Sequence, residues 1–169
     1  YFGSDGVQCY GSKRINGISY NFGSSGRVSV DWDRANMASM AQGYSSNTNY
    51  LILVNTNIHR VSIYQGGRGS WTEVKYWSCT NGAPHTPTVK GTFIVQNRGM
   101  SFGSGYTCWY WTQFYGNYLF HSVLYNPGSM SSIQDGRLGI AASHGCVRLD
   151  ISNAKWIYDV IPWGTKVVV

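Results

Sequence analysis

From Tyr50 to the C-terminus the chain is written in short apolar stretches of period 2 broken by glycine-rich turns, a pattern that suits paired strands. Residues 50–54 and 60–64 read as a hairpin around Asn55-Thr56-Asn57, and Gly66-Gly67-Arg68-Gly69 reads as the next turn. Further strands are expected over 72–78, 92–96, 108–114, 118–124 and 166–169. One late helix is expected over 153–160, with Ser152 as its N-cap and Pro162 and Gly164 beyond its end. About seven short strands and a single late helix predict a mainly β, β-sandwich-like domain rather than a parallel α/β sheet. Composition points the same way, because only 12% of residues are charged where about 25% is usual, and 15% are aromatic.

Residues 1–30 have a different texture. Phe2-Gly3-Ser4-Asp5-Gly6 is echoed by Phe22-Gly23-Ser24-Ser25-Gly26, and Asn16-Gly17 lies between alternating apolar positions. Asn-Gly is a strong hairpin signal because a type I′ turn takes positive φ at both central residues. So short a unit cannot bury its own apolar face and needs stacked neighbours. It resembles the terminal unit of the aromatic- and glycine-rich cell-wall-binding repeats, of choline- and glucan-binding type, found in bacterial surface proteins. Ser12 stands where that family commonly has Trp. The resemblance implies contact with cell-wall polymers through residues 1–30, a spacer hairpin being the plain alternative. Residues 31–42 have acids, then Ala and Met, then Gly43 as a stop. Residues 31–48 are therefore read as a helical linker ahead of a domain over 49–169. No leader precedes Tyr1, so the chain is expected to be a piece of a longer precursor, with the signal peptide outside it.

Several chemistries lose support on inspection. The acids are Asp5, Asp31, Asp33, Glu73, Asp135, Asp150 and Asp159, which form no cluster for a hard cation and offer few pairs for glycoside hydrolysis. Neither a G-x-x-x-x-G-K-[ST] nor a G-x-G-x-x-G turn follows a strand pattern, and no C-x-x-C suggests zinc. The apolar runs are far too short to cross a membrane as a helix. No cofactor or metal is called for. The formal charge of +6 favours anionic surroundings such as a bacterial wall. Apart from Lys13-Arg14 the basic residues are dispersed, which argues against nucleic acid.

Of Cys9, Cys79, Cys108 and Cys146, read as reduced with one disulfide such as Cys79–Cys108 as the alternative, the last has distinctive neighbours: Ser143-His144-Gly145-Cys146-Val147-Arg148. A thiol attacks as thiolate, and nearby cations or backbone N–H groups lower its pKa. Gly145 permits close approach of backbone and substrate, and His144 and Arg148 flank the sulfur in sequence, so an ionised, reachable Cys146 is expected. A general base must also reach the sulfur. His144 could share a face with Cys146, but the tight turn favours His121, which ends an aromatic strand and is followed by Ser122.

His121-Ser122 together with Ser143-His144-Gly145-Cys146-Val147-Arg148, then Ser152-Asn153-Ala154-Lys155-Trp156, resembles the signature of the L,D-transpeptidase (YkuD-like) catalytic domain of peptidoglycan enzymes. Residues 84–93, rich in Thr and Pro and ending Gly-Thr-Phe, are similar to an earlier segment of that domain. His121 and Cys146 stand further apart than in many members, and the extra length at 125–137 looks like a lid or substrate-gating insertion. The resemblance implies a secreted, cell-wall-associated cysteine acyltransferase acting on peptidoglycan stem peptides. In it Cys146 is the nucleophile, His121 the base held by the Ser122 carbonyl, and Gly145 and Cys146, with His144 nearby, the oxyanion hole. It further implies that Tyr106 approaches the oxyanion and that Ser143 stabilises the turn. Arg148 would bind a substrate carboxylate or brace the turn, the alternative being an ion pair with Asp135, Asp150 or Asp159. Carbapenem-type β-lactams would be covalent inhibitors. Water in place of the acceptor amine would make an L,D-carboxypeptidase, and a non-catalytic wall-binding module is the reading from another class. A wall endopeptidase would place its His after the Cys, and none follows Cys146.

Overall fold

The computed structural model describes residues 7–15, 18–22, 24 and 31–169, with the backbone alone at 12–15, 18–21 and 31–33. The Asn16-Gly17 turn and the first copy of the repeated segment, 2–6, lie outside the described residues. Strands β1 (Ser12–Ile15) and β2 (Ile18–Asn21) that flank this turn pair antiparallel, with Ile15 opposite Ile18.

Two sheets carry the rest. The larger has five strands: β3 (Tyr50–Asn55), β4 (Arg60–Gln65), β5 (Thr72–Ser78), β7 (Thr92–Ile94) and β15 (Lys166–Val168), in the order β5-β4-β3-β15-β7. The other has four: β8 (Arg98–Phe102), β9 (Cys108–Tyr115), β10 (Tyr118–Ser122) and β14 (Val147–Leu149), in the order β14-β10-β9-β8. Small ladders join β6 (Asn81–Gly82) to β13 (Ala141–Ser143), and β11 (Leu124–Tyr125) to β12 (Ile133–Asp135). The fold is mainly β, as expected, but parallel pairs join β3 to β15 and β10 to β14. Strand β8 escapes sequence reading because Gly99, Met100 and Ser101 give it no apolar alternation.

Strands β3 and β4 are buried along nearly their whole length because both faces of their sheet are covered. Ile52, Val54, Val61 and Ile63 join Phe114, Phe120, Val147 and Leu149 of the second sheet in the main core. Helix α2 (Ile151–Val160) adds Ala154 and Ile157, and Trp156 meets Tyr50 and Trp77 edge-on at 6.2 and 5.7 Å. Its N-cap is Asp150 rather than Ser152, since both the backbone N–H and the hydroxyl of Ser152 donate to Asp150 Oδ1. Leu51, Leu53 and Tyr64 face the other way, against Met37 and Ala41 of α1 (Asp31–Ala41). Residues 31–41, read from the sequence as a linker, thus cover one face of the sheet. Gln42 fixes them by exchanging hydrogen bonds with the Trp71 backbone, 2.9 and 3.0 Å.

Phe120 is fully buried and its ring lies 4.9 Å from that of Phe114. Phe120→Ala is expected to cost about 3–5 kcal/mol through the cavity it leaves, measured as a shift in the urea unfolding midpoint at unchanged slope.

Candidate active site

The parallel pairing of β10 with β14 sets His121 opposite Arg148 and Phe120 opposite Val147. Cys146 immediately precedes β14, in the turn that leaves β13. The Ser143 hydroxyl donates to the Cys146 carbonyl at 2.6 Å and accepts the Gly145 N–H at 3.1 Å, closing the turn. Gly145 has φ +115°, and a Cβ there would lie 2.8 Å from the Tyr118 ring, so only glycine fits. This corrects the expectation for the oxyanion hole, because the Gly145 N–H is already bonded to Ser143.

Residues 84–93 hold this turn from outside. The buried Thr88 hydroxyl donates to the Gly145 carbonyl at 2.7 Å and accepts the Gly82 N–H at 2.9 Å. Thr86 Oγ1 donates to the Ser143 carbonyl at 2.9 Å. The family-like signal at this segment was visible in the sequence; its contact with the cysteine turn was not.

His121 is 4% exposed. Its Nδ1 lies 2.6 Å from the Ser122 carbonyl, which can only accept, so the proton sits on Nδ1 and Nε2 carries a free lone pair. Ser122 is itself pinned, since its hydroxyl donates to the Val123 carbonyl and accepts the Trp109 N–H. The Phe102 ring stands edge-on to the imidazole at 5.1 Å. Burial, aided by the Arg148 charge and opposed by the Ser122 bond, lowers the imidazole pKa to about 4. The ring is therefore neutral at physiological pH.

The sulfur corrects a second expectation. Burial pushes the Cys146 thiol above its ordinary value, outweighing a hydrogen bond from the Leu119 backbone and the Arg148 charge. The resting group is a thiol, donating to the Asn117 carbonyl at 3.4 Å. Cys146 is half-buried, whereas Cys9, Cys79 and Cys108 are buried free thiols. Cys79 and Cys108 are pushed up to about 12 by burial.

Arg148 is buried, and its Nη1 lies 3.0 Å from Asp135 Oδ2. Asp135 also receives Nε and Nη2 of Arg137, each at 2.8 Å, and its carboxyl is held well below the usual range. The ion-pair alternative for Arg148 is thus present, while its side chain still lines the site. The insertion at 125–137, expected as a lid or substrate-gating segment, is a hairpin with contacts on both strands. Tyr125 bridges to Thr107, Trp109 Nε1 donates to the Ser129 carbonyl at 2.7 Å, and Asp135 anchors the far strand.

Two cavities meet at Cys146. The smaller, about 140 Å³, brings together His121, Cys146, His144, Ser143, Tyr106 and Arg148. Phe102, Cys108 and Leu124 complete it without any signal in the sequence. The larger, about 580 Å³, shares Cys146 and Phe102 with it and is also lined by Trp111 and Gln113. A neutral imidazole with a bare Nε2 and a protonated thiol line one cavity, and these are the two groups that attack by sulfur without a standing ion pair requires.

Thr88→Val removes the hydrogen bonds to the Gly145 carbonyl and from the Gly82 N–H and is expected to cost about 1–3 kcal/mol in urea unfolding, with Thr88→Ser close to wild type. Alkylation of Cys146 by iodoacetamide, followed by intact-mass spectrometry, is expected to rise with a midpoint above the ordinary thiol value of about 8.5. A midpoint below about 7 would refute the resting thiol.

A family model for the L,D-transpeptidase catalytic domain, YkuD, matches residues 49–169. Putative L,D-transpeptidase YciB of Bacillus subtilis is 44% identical over 89 residues, covering 48% of this chain and 46% of that protein, so the chain spans about half the length of this curated relative. A fused Zn-dependent amidase/peptidase/peptidoglycan-binding domain-containing protein from Clostridium acetobutylicum superposes with a TM-score of 0.67 at 39% identity, over 79% of this chain and 58% of that one. The L,D-transpeptidase LdtMt1, solved in complex with imipenem, shares the fold at a TM-score of 0.55 and 20% identity, over 72% of this chain and 58% of its own. With the family pattern matched from Asn49 to the C-terminus, the chain belongs to the L,D-transpeptidase (YkuD) catalytic-domain family.

Proposed function

We propose that the chain is a peptidoglycan L,D-transpeptidase in which Cys146 and His121 carry the reaction. The observation that bears most weight is the fixed tautomer of His121: with Nδ1–H held by the Ser122 carbonyl, Nε2 faces the reaction as a base in the cavity that also contains Cys146. Nε2 takes the thiol proton, and the sulfur attacks the carbonyl of the third, diamino-acid residue of a donor tetrapeptide. Collapse of the tetrahedral adduct breaks the bond to the terminal D-Ala, whose amine receives the proton from His121, leaving a thioester. The side-chain amine of a second stem then gives a proton to Nε2, attacks the thioester and restores the thiol, forming a 3→3 cross-link. The Cys146 N–H and the Tyr106 hydroxyl are the donors proposed for the oxyanion, each such donor being worth roughly 3–4 kcal/mol in comparable sites. Ser143 and Gly145 shape the turn, His144 lines its rim, and Arg148 is a bracing group with one face toward substrate.

L,D-carboxypeptidase trimming, with water in place of the acceptor amine, is the second reading, and a product assay that tells cross-linked dimers from trimmed monomers separates the two. The peptidoglycan-binding description of the Clostridium relative supports a wall substrate, and the imipenem complex of LdtMt1 supports carbapenem-type β-lactams as covalent ligands of Cys146. An extracellular, wall-associated location and contact of residues 1–30 with wall polymers complete the reading.

Cys146→Ala is expected to lower release of D-Ala from tetrapeptide stems by roughly 10³-fold or more, and His121→Ala by roughly 10²–10⁴-fold. Substantial turnover in either variant overturns the assignment. Because the base must be neutral, kcat/KM is expected to hold through pH 5 and fall only as pH drops through the imidazole pKa of about 4. An acid limb near the ordinary histidine value of about 6.5 would contradict the buried base.

A further inference from the structure

The larger cavity beside Cys146 is one face of the four-stranded sheet, and its lining is chemically selective. Along β9, Thr112 and Phe114 are buried on the inner face, whereas Trp111 and Gln113 line the cavity. Gly99 is the β8 partner of Trp111, and a Cβ there would lie 2.5 Å from the indole. The ring therefore rests on bare backbone at Gly99 while it lines the cavity. Two side-chain amides beside it are fixed in place: Asn97 Nδ2 donates to Gln113 Oε1 at 3.2 Å, and Gln113 Nε2 donates to the Gly116 carbonyl at 2.5 Å. Among the described residues no charged side chain lines this cavity, in contrast to the smaller one with Arg148.

A carboxylate-bearing ligand here would lose water without gaining a cation. A sugar ring fits better. Its C–H bonds meet the negative face of an indole, and its hydroxyl and acetamido groups pair with amides that both donate and accept. The position agrees. Leu119 pairs with Gln113, and its backbone bonds to Cys146, so sulfur, Leu119 and Gln113 follow one another across the sheet. Two strand spacings separate Cys146 from β9, roughly 10 Å. An extended stem running back three residues from the attacked carbonyl spans about 10–11 Å, which brings its sugar-bearing end over β9.

We infer that this cavity is a subsite for an N-acetylhexosamine of the glycan strand that carries the donor stem, with Trp111 as its platform and Asn97 and Gln113 as its hydrogen-bonding groups. The inference rests on the peptidoglycan reading above. It concerns how the wall polymer is held rather than how the bond is cut.

Two measurements separate it from that reading. First, Cys146→Ala protein is titrated with oligosaccharides of N-acetylglucosamine and followed by saturation-transfer NMR. Binding that disappears in the Cys146→Ala/Trp111→Ala double variant and weakens in Cys146→Ala/Gln113→Leu is expected, with folding of each variant confirmed by circular dichroism. Should Trp111→Ala not fold, Trp111→Phe and Gln113→Leu carry the comparison. Second, active protein is assayed on a disaccharide-tetrapeptide and on the same tetrapeptide stripped of its sugars. A KM lower by about tenfold for the sugar-bearing substrate is expected, with the ratio falling toward one in the Trp111 variant. No saccharide binding together with equal KM values overturns the subsite. So does a preference for stems with amidated carboxyls that is indifferent to sugar, which would give the cavity to the peptide. Absence of turnover on both substrates overturns the transpeptidase reading alone, because the titration still decides the sugar site.

Discussion

The parallel pairing of β10 with β14 is the contact on which the site depends. It joins a strand from the middle of the chain to one that follows the cysteine turn, and so sets the strand of His121 beside the strand that Cys146 leads into. A parallel pair needs a long crossover, and here the crossover contains the 125–137 hairpin and β13. The added length is accommodated because the hairpin is pinned to β14 through Asp135 and Arg148. Arg148 thus works in two directions, tying down the insertion and contributing positive charge to the cavity.

Around that pairing the cysteine turn is over-determined. Ser143 closes it from within, Thr86 and Thr88 hold its carbonyls from outside, and Tyr118 packs where any side chain at Gly145 would have to go. Buried backbone carbonyls without partners are costly, so these hydroxyls fix the turn in one geometry. A side chain on so short a turn gains its aim from this framework rather than from its own flexibility.

The same burial that fixes the geometry also sets the protonation states. Desolvation disfavours charge on both partners, lowering the imidazole and raising the thiol, and the fixed charge of Arg148 offsets only part of the cost for sulfur. The neutral pair needs no compensating charge. The uncharged lining of the larger cavity continues this logic across the sheet face.

The pattern of strands in residues 50–78, the late helix, and the motif residues His121, Ser122, Ser143, Gly145 and Cys146 were legible because each rests on local periodicity or on a short contiguous spacing. Strand β8 was not, since an edge strand carrying Gly99 and Ser101 owes its place to the Trp111 ring across from it. Nor was the packing of residues 31–41, whose sequence specifies a helix but not the sheet face that it covers. The sequence by itself determined which groups have the chemistry to react, because that is a property of single residues and their neighbours. Only the tertiary structure decided that the thiol is protonated at rest, that the Gly145 N–H is already engaged, that Arg148 is paired with Asp135 and that Thr86 and Thr88 serve the cysteine turn. Burial, hydrogen-bond pairing and charge are set by groups brought together from distant parts of the chain.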